Sequence, residues 1–392
     1  MSANPRRLVL RGLARLERNQ YAAGQSVLRG LLDGPDARDL DPRDRGLVTE
    51  LFYGVLRWRL RLDAVIGRFA RKGVPKDPEL ANILRLGAYQ LLLLDRVPDR
   101  AAVHTAVSLA KKMRGPQVSS FVNGVLRAIA RDTSEPDTLA ERWAHPQWMI
   151  DRFREEVGEE ALEARLRANM TPPPQDLRLH PTEEGPLPTE PDAIRAGIRA
   201  LRWIPQDPAS QRVVELLDPQ PGDRVLELCA GRGVKSTQLA DAVGPTGSVL
   251  SVDASAPRLA EAARLLQRWA PEVPWQGICA DGSEPLPLDP DLRFDKILVD
   301  APCSGLGVIR RRPETLWRRQ PNDVANLAAL QKRILKGALS RLTPDGTLVY
   351  AVCTTTPEET VQVTGPQTGQ TFQTTPETDQ TDGFYATRLT RG

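Results

Sequence analysis

From residue 223 onward, short apolar segments alternate with longer amphipathic ones, and this alternation constrains the fold more than any other feature. The short segments are bounded by turn residues and have the length of buried strands. They cover residues 224–230, 248–253, 276–281, 294–300 and 347–353. The longer segments have helical periodicity and cover residues 237–243, 256–269 and 322–342. Strands that alternate with helices form a parallel sheet covered on both faces, so we predict a Rossmann-like α/β domain.

Two cysteines lie at the carboxyl ends of predicted strands. Cys303 follows Asp300-Ala301-Pro302, and Cys353 ends the last strand fifty positions later. A lone cysteine is most often a small buried apolar residue. A helix separates these two strands, however, which predicts that the strands are neighbours and that both thiols face one crevice beside Asp300. A thiolate there could attack an electron-poor ring.

A glycine-rich turn, 231–236, follows the first strand of this region. Glycines let a ligand approach the backbone at a helix N-terminus. Asp253 ends the next strand about 20 residues later, where a carboxylate can accept hydrogen bonds from a ribose. The pattern predicts a nucleoside-bearing cofactor. It does not separate a nicotinamide dinucleotide from S-adenosylmethionine.

The first part of the chain is helical in pattern and basic. Residues 5–132 carry helical apolar stripes, and residues 83–94 are apolar nearly all round, which predicts a buried central helix. Residues 1–132 hold 24 Lys and Arg against 13 Asp and Glu, whereas the remaining 260 residues hold 29 against 37. A basic half joined to an acidic half favours a polyanionic partner for the first, although an arginine-rich solvated surface is the alternative.

Several classes of protein are disfavoured. The sequence has no run of eighteen apolar residues and no long apolar segment near Met1, so we expect neither membrane association nor secretion. Four cysteines at wide spacing and three histidines do not form a metal-site pattern or a disulfide framework. We expect a cytoplasmic monomer without a bound metal.

Composition also divides the chain. We predict a helical domain over residues 1–132, a proline-rich connector over 133–205 and the α/β domain over 206–392. Residues 354–382 contain 11 Thr and 5 Gln among 29 residues, and we expect this stretch to be disordered.

Three blocks of the helical domain resemble the NusB-type RNA-binding domain. They are Asp44-Arg45 with LFYGVLR at 51–57, LRLGAYQ at 84–90 and FVNGVLR at 121–127. Their order and spacing agree with that family over about 125 residues. The resemblance implies that residues 1–132 bind RNA.

The α/β domain resembles the RsmB/Sun family of bacterial 16S rRNA (cytosine-5) methyltransferases. The matching segments are DAPCSGLGVIRR at 300–311, YAVC at 350–353 with PEE at 357–359, ELCA at 227–230 with Lys235, and DGFY at 382–385. The cofactor turn differs, because this chain has GRGVK at 231–235 where the family has Ala-Pro-Gly-Gly-Lys. The connector is also shorter than the family pattern.

The resemblance implies transfer of a methyl group from S-adenosylmethionine to carbon 5 of a cytosine in 16S rRNA. It assigns Cys353 as the nucleophile, Cys303 to product release and Asp300 to the base edge near N3. Asp253 would bind the ribose of the cofactor and Asp281 its adenine side. The methionine end, also near Asp300, would contact Cys229, Ala230, Gly231, Arg232, Gly233, Val234 and Lys235. RNA phosphates would meet Arg310, Arg311 and Arg312.

Three alternatives remain open at this point. The chain could be a non-catalytic RNA-binding or ribosome-assembly factor that keeps the fold. It could be a nicotinamide-dependent oxidoreductase, although Gly-x-Gly-x-x-Ser is an incomplete fingerprint for that cofactor. If the chain is a methyltransferase, the two thiols could exchange roles.

Overall fold

Helices dominate the first part of the chain, and strands alternate with helices in the rest. The computed structural model describes residues 4–19, 22–132, 134, 136–366 and 369–391. The helices are α1 (Pro5–Arg18), α2 (Gly24–Leu32), α3 (Pro42–Phe69), α4 (Pro78–Leu93), α5 (Asp99–Arg114), α6 (Pro116–Ile129), α7 (Leu139–Arg142), α8 (Gln147–Met170), α9 (Pro191–Ala200), α10 (Pro208–Leu217), α11 (Val234–Val243), α12 (Ala256–Trp269), α13 (Thr315–Arg318), α14 (Pro321–Leu339), α15 (Val361–Thr364) and α16 (Pro376–Asp379). Many begin with proline, whose fixed φ and missing N–H suit a first helical turn. Among these helices, none is long and apolar enough to cross a bilayer.

The strands are β1 (Leu177–Leu179), β2 (Trp203–Pro205), β3 (Arg224–Leu228), β4 (Ser248–Asp253), β5 (Trp275–Cys279), β6 (Phe294–Asp300), β7 (Leu342–Val352), β8 (Thr371–Thr374) and β9 (Phe384–Thr390). The chain divides into two compact units. The first unit is Met1–Pro172 with Ile309–Arg319, and the second is Pro173–Val308 with Gln320–Gly392. The segment predicted as a connector, 133–205, is thus shared between the units. The predicted domain limits themselves stay a prediction.

Helix α4 is buried in the first unit, as its apolar pattern predicted. Ile83, Leu84 and Leu86 are at most 1% exposed. Gly54 of α3 lets this helix approach closely, because a Cβ at that position would lie 2.0 Å from the Tyr89 ring. The glycine of the NusB-like block therefore serves helix packing.

Arg85, from the same helix, is a structural residue. It is 5% exposed, and its guanidinium donates two hydrogen bonds to the Asp63 carboxylate, at 2.7 and 2.9 Å. Glu17 accepts a third bond at 3.2 Å. A buried arginine that is paired in this bidentate way stabilises the geometry of neighbouring helices and is not available to a ligand.

The segment Ile309–Arg319 belongs to the first unit although it lies far along the chain. Glu314 accepts a hydrogen bond of 2.8 Å from the backbone N–H of Gly24, the first residue of α2. Arg318 donates to the carbonyl of Leu16, in the last turn of α1, at 2.6 Å. An anion at a helix N-terminus and a cation at a helix C-terminus both complement the helix dipole. This segment therefore caps two helices.

Arg310 does not fulfil its expected role at RNA phosphates, because its side chain is only 6% exposed. Its carbonyl accepts a hydrogen bond of 3.0 Å from Arg57, which is also buried. The resemblance implied that all three arginines meet RNA phosphates, but packing within the first unit covers Arg310. Arg311 is half-buried and Arg312 exposed, and their phosphate contacts stay a prediction.

A seven-stranded sheet with the order β5-β4-β3-β6-β7-β9-β8 forms the centre of the second unit. The first five strands in this order, β5, β4, β3, β6 and β7, are parallel, and β9 is antiparallel to both β7 and β8. Neighbouring residues of the central strands β3, β6 and β7 enter two separate apolar clusters. One includes residues of α10, α11 and α12, and the other includes residues of α14. The predicted fold class is confirmed, with helices on both faces of a mostly parallel sheet.

The expectation of disorder over residues 354–382 is wrong. The stretch contains α15, β8, α16 and a 3-10 turn at Pro357–Glu359, while residues 367–368 lie outside the described residues. Thr354 and Thr356 are fully buried. Composition misled because a threonine hydroxyl counts as polar, yet it can be buried once bonded, as Thr374 is to the Asp382 carbonyl at 2.7 Å. Threonine is also β-branched and suits strands.

We expect Glu314→Ala to destabilise the first unit by about 1–3 kcal/mol, because a buried helix N-terminus would lose its charged acceptor. Glu314→Gln, which keeps an acceptor oxygen, should cost less. Asp36→Ala is a suitable control, since its ion pair with Arg11 is exposed. Urea unfolding together with hydrogen exchange of α2 amides measures both effects. Equal stability of the Glu314→Ala and Asp36→Ala proteins would contradict the capping role.

Candidate active site

The predicted site residues lie at or just after the carboxyl ends of parallel strands in the second unit. The turn 229–235 follows β3, and Asp253 ends β4. Asp281 follows β5, Asp300 ends β6, and the two cysteines follow β6 and β7. In sheets of this kind, ligands bind at that edge.

The turn after β3 has an unusual backbone. Cys229, Gly231 and Gly233 have φ values of 62°, 60° and 83°, in the left-handed region. Glycine tolerates this conformation, but a cysteine there is uncommon and strained. A Cβ at Gly233 would lie 2.8 Å from the Cβ of Ala262, so only glycine allows α12 to pack against the turn. A Cβ at Gly231 would meet nothing closer than 4.0 Å, so the turn is open there.

Asp253 connects the end of β4 to this turn. Its carboxylate accepts hydrogen bonds of 2.8 Å from the N–H groups of Gly231 and Ser255. Asp281 instead bonds within its own loop, where it accepts from the N–H of Ser283 at 2.9 Å. This backbone bond, together with a bond from the Ser283 side chain, lowers the pKa of Asp281. Both residues are therefore acceptors at the strand ends, and Asp281 is exposed.

Glu227 lies in β3 beneath the turn and was given no role by the sequence. It is 1% exposed, and its carboxylate accepts hydrogen bonds from the hydroxyls of Ser236 and Ser251. Burial raises its pKa to about 7. The serines connect α11 and β4 to β3 at the depth of the turn. The signal was a single acidic residue inside an otherwise apolar strand.

Lys235 and Asp300 form an ion pair with 2.7 Å between Nζ and Oδ2. Lys235 lies in the first turn of α11, so the glycine turn determines its position. The lysine side chain is 11% exposed and the aspartate side chain 31%. The carboxylate is thus fixed by a cation while part of its surface remains accessible to a ligand.

Cys303 and Cys353 are brought together, as the neighbouring positions of β6 and β7 predicted. Their sulfurs are 3.2 Å apart, which is much longer than a disulfide, so both cysteines are reduced thiols. Cys303 is buried, whereas Cys353 is half-buried. The hydrogen bond to Cys353, and then burial, raise the pKa of Cys303 well above its ordinary value. Cys303 is therefore a thiol that keeps its proton, and the contact between the sulfurs allows either of them to be the donor.

The other two cysteines are different. Burial raises the pKa of Cys229, and the charges of Asp300, Asp253, Asp281 and Glu227 raise it further. Cys279 is exposed. Neither has a second thiol as a partner within the described part of the chain. Cys303 and Cys353 are therefore the two thiols that can act together on one substrate.

Two glycines fix the backbone around Cys353. The N–H of Gly307 donates to the Cys353 carbonyl at 3.1 Å, and the N–H of Gly383 donates to the Gly307 carbonyl at 2.8 Å. A Cβ at Gly307 would lie 2.1 Å from the Gly383 oxygen. Three loops thus touch backbone to backbone. Both glycines lie in segments that resemble the family, 300–311 and 382–385, but the sequence did not indicate that they contact each other.

Comparison with known proteins agrees with this arrangement. The family model described as 16S rRNA methyltransferase RsmB/F matches residues 214–365, and the NusB family model matches residues 3–131. The ribosomal RNA small subunit methyltransferase B of Salmonella arizonae is 33% identical, with 97% of this chain and 98% of the relative covered. The probable enzyme of that name from Bacillus subtilis is also 33% identical, over 89% and 84%.

Solved structures show the same fold. The crystal structure of PH0851 matches with a TM-score of 0.82 and 20% identity, and 99% of each chain is covered. A methyltransferase homologue from Pyrococcus horikoshii matches over 64% of this chain and 97% of its own, with a TM-score of 0.52 and 22% identity. Given the two family models and relatives aligned over most of its length, the chain belongs to the ribosomal RNA small subunit methyltransferase B (RsmB) family.

Proposed function

We propose that this protein transfers a methyl group from S-adenosylmethionine to carbon 5 of a cytosine in small-subunit (16S) rRNA, through a covalent cysteine adduct. The observation that carries the proposal is the pair of reduced thiols, 3.2 Å apart, at the ends of β6 and β7. Asp300 is the last residue of β6, and Cys303 lies in the loop that follows this strand. A nucleophile, a proton donor and a carboxylate thus belong to one sheet edge.

The turn fits S-adenosylmethionine better than a nicotinamide dinucleotide. The carboxylates of Asp253, Asp281 and Asp300, with the buried Glu227, all act on the turn residue Cys229. Lys235 offsets the charge of Asp300, and the other acidic side chains favour the sulfonium of S-adenosylmethionine over the pyrophosphate of a dinucleotide. The open side of Gly231 leaves room for the methionine end.

When bound, S-adenosylmethionine supplies an electrophilic methyl group. The turn Cys229–Lys235 would hold its methionine end, Asp253 its ribose and Asp281 its adenine side. The two aspartates keep acceptor capacity, because a carboxylate has about four lone-pair sites and each uses only part of them.

The protein's own residues activate the base. Carbon 5 of cytosine is a poor nucleophile, and addition of the Cys353 thiolate to carbon 6 makes it enamine-like. Asp300, held by Lys235, binds the base edge near N3 and stabilises the activated ring. Once carbon 5 carried the methyl group, its proton would pass to solvent water, and the electrons of that C–H bond would expel the Cys353 sulfur from carbon 6. The Cys303 thiol, whose sulfur is 3.2 Å from that of Cys353 in the free protein, then donates a hydrogen bond to the departing Cys353 sulfur.

The first unit would supply affinity for RNA. Residues 1–132 carry 24 basic and 13 acidic side chains, and this excess of positive charge favours contacts with RNA phosphates. The reduced thiols are in keeping with the cytoplasm, where cysteines stay reduced. Single-stranded or splayed cytosines are the accessible targets in rRNA. A non-catalytic rRNA-binding or assembly factor is the second candidate, because it would need the same basic surface but not the thiol pair.

We expect Cys353→Ala to abolish methyl transfer and covalent complex formation, because it removes the attacking sulfur. Cys303→Ala should form the complex but fail to resolve it, since the preceding step is intact. Denaturing gel electrophoresis with a 16S rRNA fragment detects the adduct, and bisulfite mapping of rRNA from cells with and without the gene locates the product. Cys279→Ala is the control.

A trapped complex in Cys353→Ala but not in Cys303→Ala would reverse the two roles. Cofactor binding by the wild-type protein without methylation of any rRNA would favour the assembly factor. If both variants still methylate and neither traps RNA, the covalent mechanism is wrong.

Asp253→Ala should weaken binding of S-adenosylmethionine by about 1.5–3 kcal/mol, because a charged acceptor for the ribose is lost and the Gly231 turn loses its brace. Asp253→Asn, which keeps one acceptor oxygen, should lose less. Titration calorimetry with S-adenosylmethionine and with NAD measures both affinities. Unchanged affinity in a folded Asp253→Ala protein would remove this residue from the site.

The logarithm of the affinity of the whole chain for RNA should fall linearly as the logarithm of the salt concentration rises, because phosphate contacts release counterions. Replacing the exposed pair Lys111 and Lys112 of α5 by glutamine should reduce the slope by roughly one for each phosphate that is no longer neutralised. The exposed pair Lys332 and Lys336 of α14, in the acidic part of the chain, is the matched control. Salt-independent binding would refute the electrostatic role of the helical part.

A further inference from the structure

We propose that Glu359 is a positioning residue that holds the two thiol-bearing loops in register for the transfer reaction, and this inference rests on the function proposed above. Glu359 ends the 3-10 turn that follows β7, six residues after Cys353. It is 0% exposed. A buried carboxylate is costly unless it is hydrogen-bonded, so its contacts indicate what it is retained for.

The Glu359 carboxylate bridges the two loops. One oxygen, Oε1, accepts a hydrogen bond of 2.8 Å from the N–H of Ser304, the residue after Cys303. The other, Oε2, accepts from the hydroxyl of Thr356, three residues after Cys353, at 3.0 Å. A single side chain thus joins the backbone that carries Cys303 to the segment that carries Cys353.

Helix α14 completes the arrangement through Gln331, which is fully buried. Its amide nitrogen donates to Glu359 Oε1 at 3.0 Å and to the carbonyl of Pro302 at 2.9 Å. The peptide groups on both sides of Cys303 are therefore held, one by Glu359 and the other by Gln331. The Tyr350 hydroxyl donates to the Glu359 carbonyl at 2.7 Å and fixes the turn on β7. The backbone of Cys303 therefore has little freedom to move away from the segment that carries Cys353.

The charge of Glu359 has a second effect. Its three donors are a peptide N–H, an amide and a hydroxyl, so none of them is a cation that would pair with the carboxylate. Among the groups that raise the pKa of Cys303, the Glu359 charge comes next after Cys353 and burial, and Asp300 follows it. Cys303 therefore keeps its proton, as the proposed release step requires. Removal of the charge should lower the pKa of Cys303.

The test compares Glu359→Ala, Glu359→Gln and, as a control, Glu358→Gln at the neighbouring half-buried glutamate. We expect Glu359→Ala to lower kcat by roughly 10- to 100-fold with little change in the affinity for S-adenosylmethionine, because the sulfurs lose their register. Glu359→Gln keeps the shape and should retain more activity. The pH dependence of iodoacetamide alkylation, resolved for each cysteine by mass spectrometry, should move to lower pH for Cys303 in Glu359→Gln. It should not move in Glu358→Gln.

A folded Glu359→Ala protein with wild-type kcat would overturn the inference. So would a Glu359→Gln protein in which both kcat and the alkylation profile of Cys303 are those of the wild type, and this second result decides the case if Glu359→Ala does not fold. The alkylation measurement needs no RNA. A shifted Cys303 profile in a protein that never methylates cytosine would therefore support the positioning of the thiols and reject the proposed reaction.

Discussion

The parallel pairing of β6 with β7 is the constraint on which the rest of the site depends. Asp300 lies opposite Ala351 in this pairing, and the two strands end within a few residues of each other. Both thiols follow directly, so the register of the sheet determines that their sulfurs meet. A slip of one residue would turn every side chain of a strand to the opposite face and separate them. The hydrogen bonds of Gly307, Gly383 and Glu359 act on loops that the sheet has already aligned.

Burial and charge then give different properties to residues of the same type. Four cysteines are present, yet only one of them, Cys353, is half-buried and has a second thiol beside it. Acidic residues divide in the same way. Glu227 lies deep in the sheet with a pKa raised to about 7, whereas the pKa of the exposed Asp281 is lowered by the hydrogen bonds of its own loop. The environment, more than the residue type, determines which groups can take part in proton transfer.

The sequence predicted what depends on short-range patterns. Apolar periodicity located the strands of the parallel sheet and the buried helix α4, and the order of strands and helices made β6 and β7 neighbours. It could not predict contacts made across long separations. Glu359 and Ser304, or Gly307 and Gly383, are paired only by the finished fold. The threonine-rich stretch failed for a related reason, because composition cannot show whether hydroxyls such as that of Thr374 find buried partners. Family resemblance assigned Arg310 to RNA phosphates, and it could not show that the fold buries this side chain.

The capping of α1 and α2 by the segment Ile309–Arg319 has a consequence for how the chain folds as it is made. Glu314 and Gly24 are separated by 290 positions, and most of the second unit lies between them. The first unit begins the chain, but a ribosome must synthesise residue 319 before that unit has all its residues. Until then the first residue of α2 lacks its acidic cap, and the last turn of α1 lacks Arg318. The helical unit is therefore the first to emerge and cannot be completed until β6 and the Cys303 loop have been made.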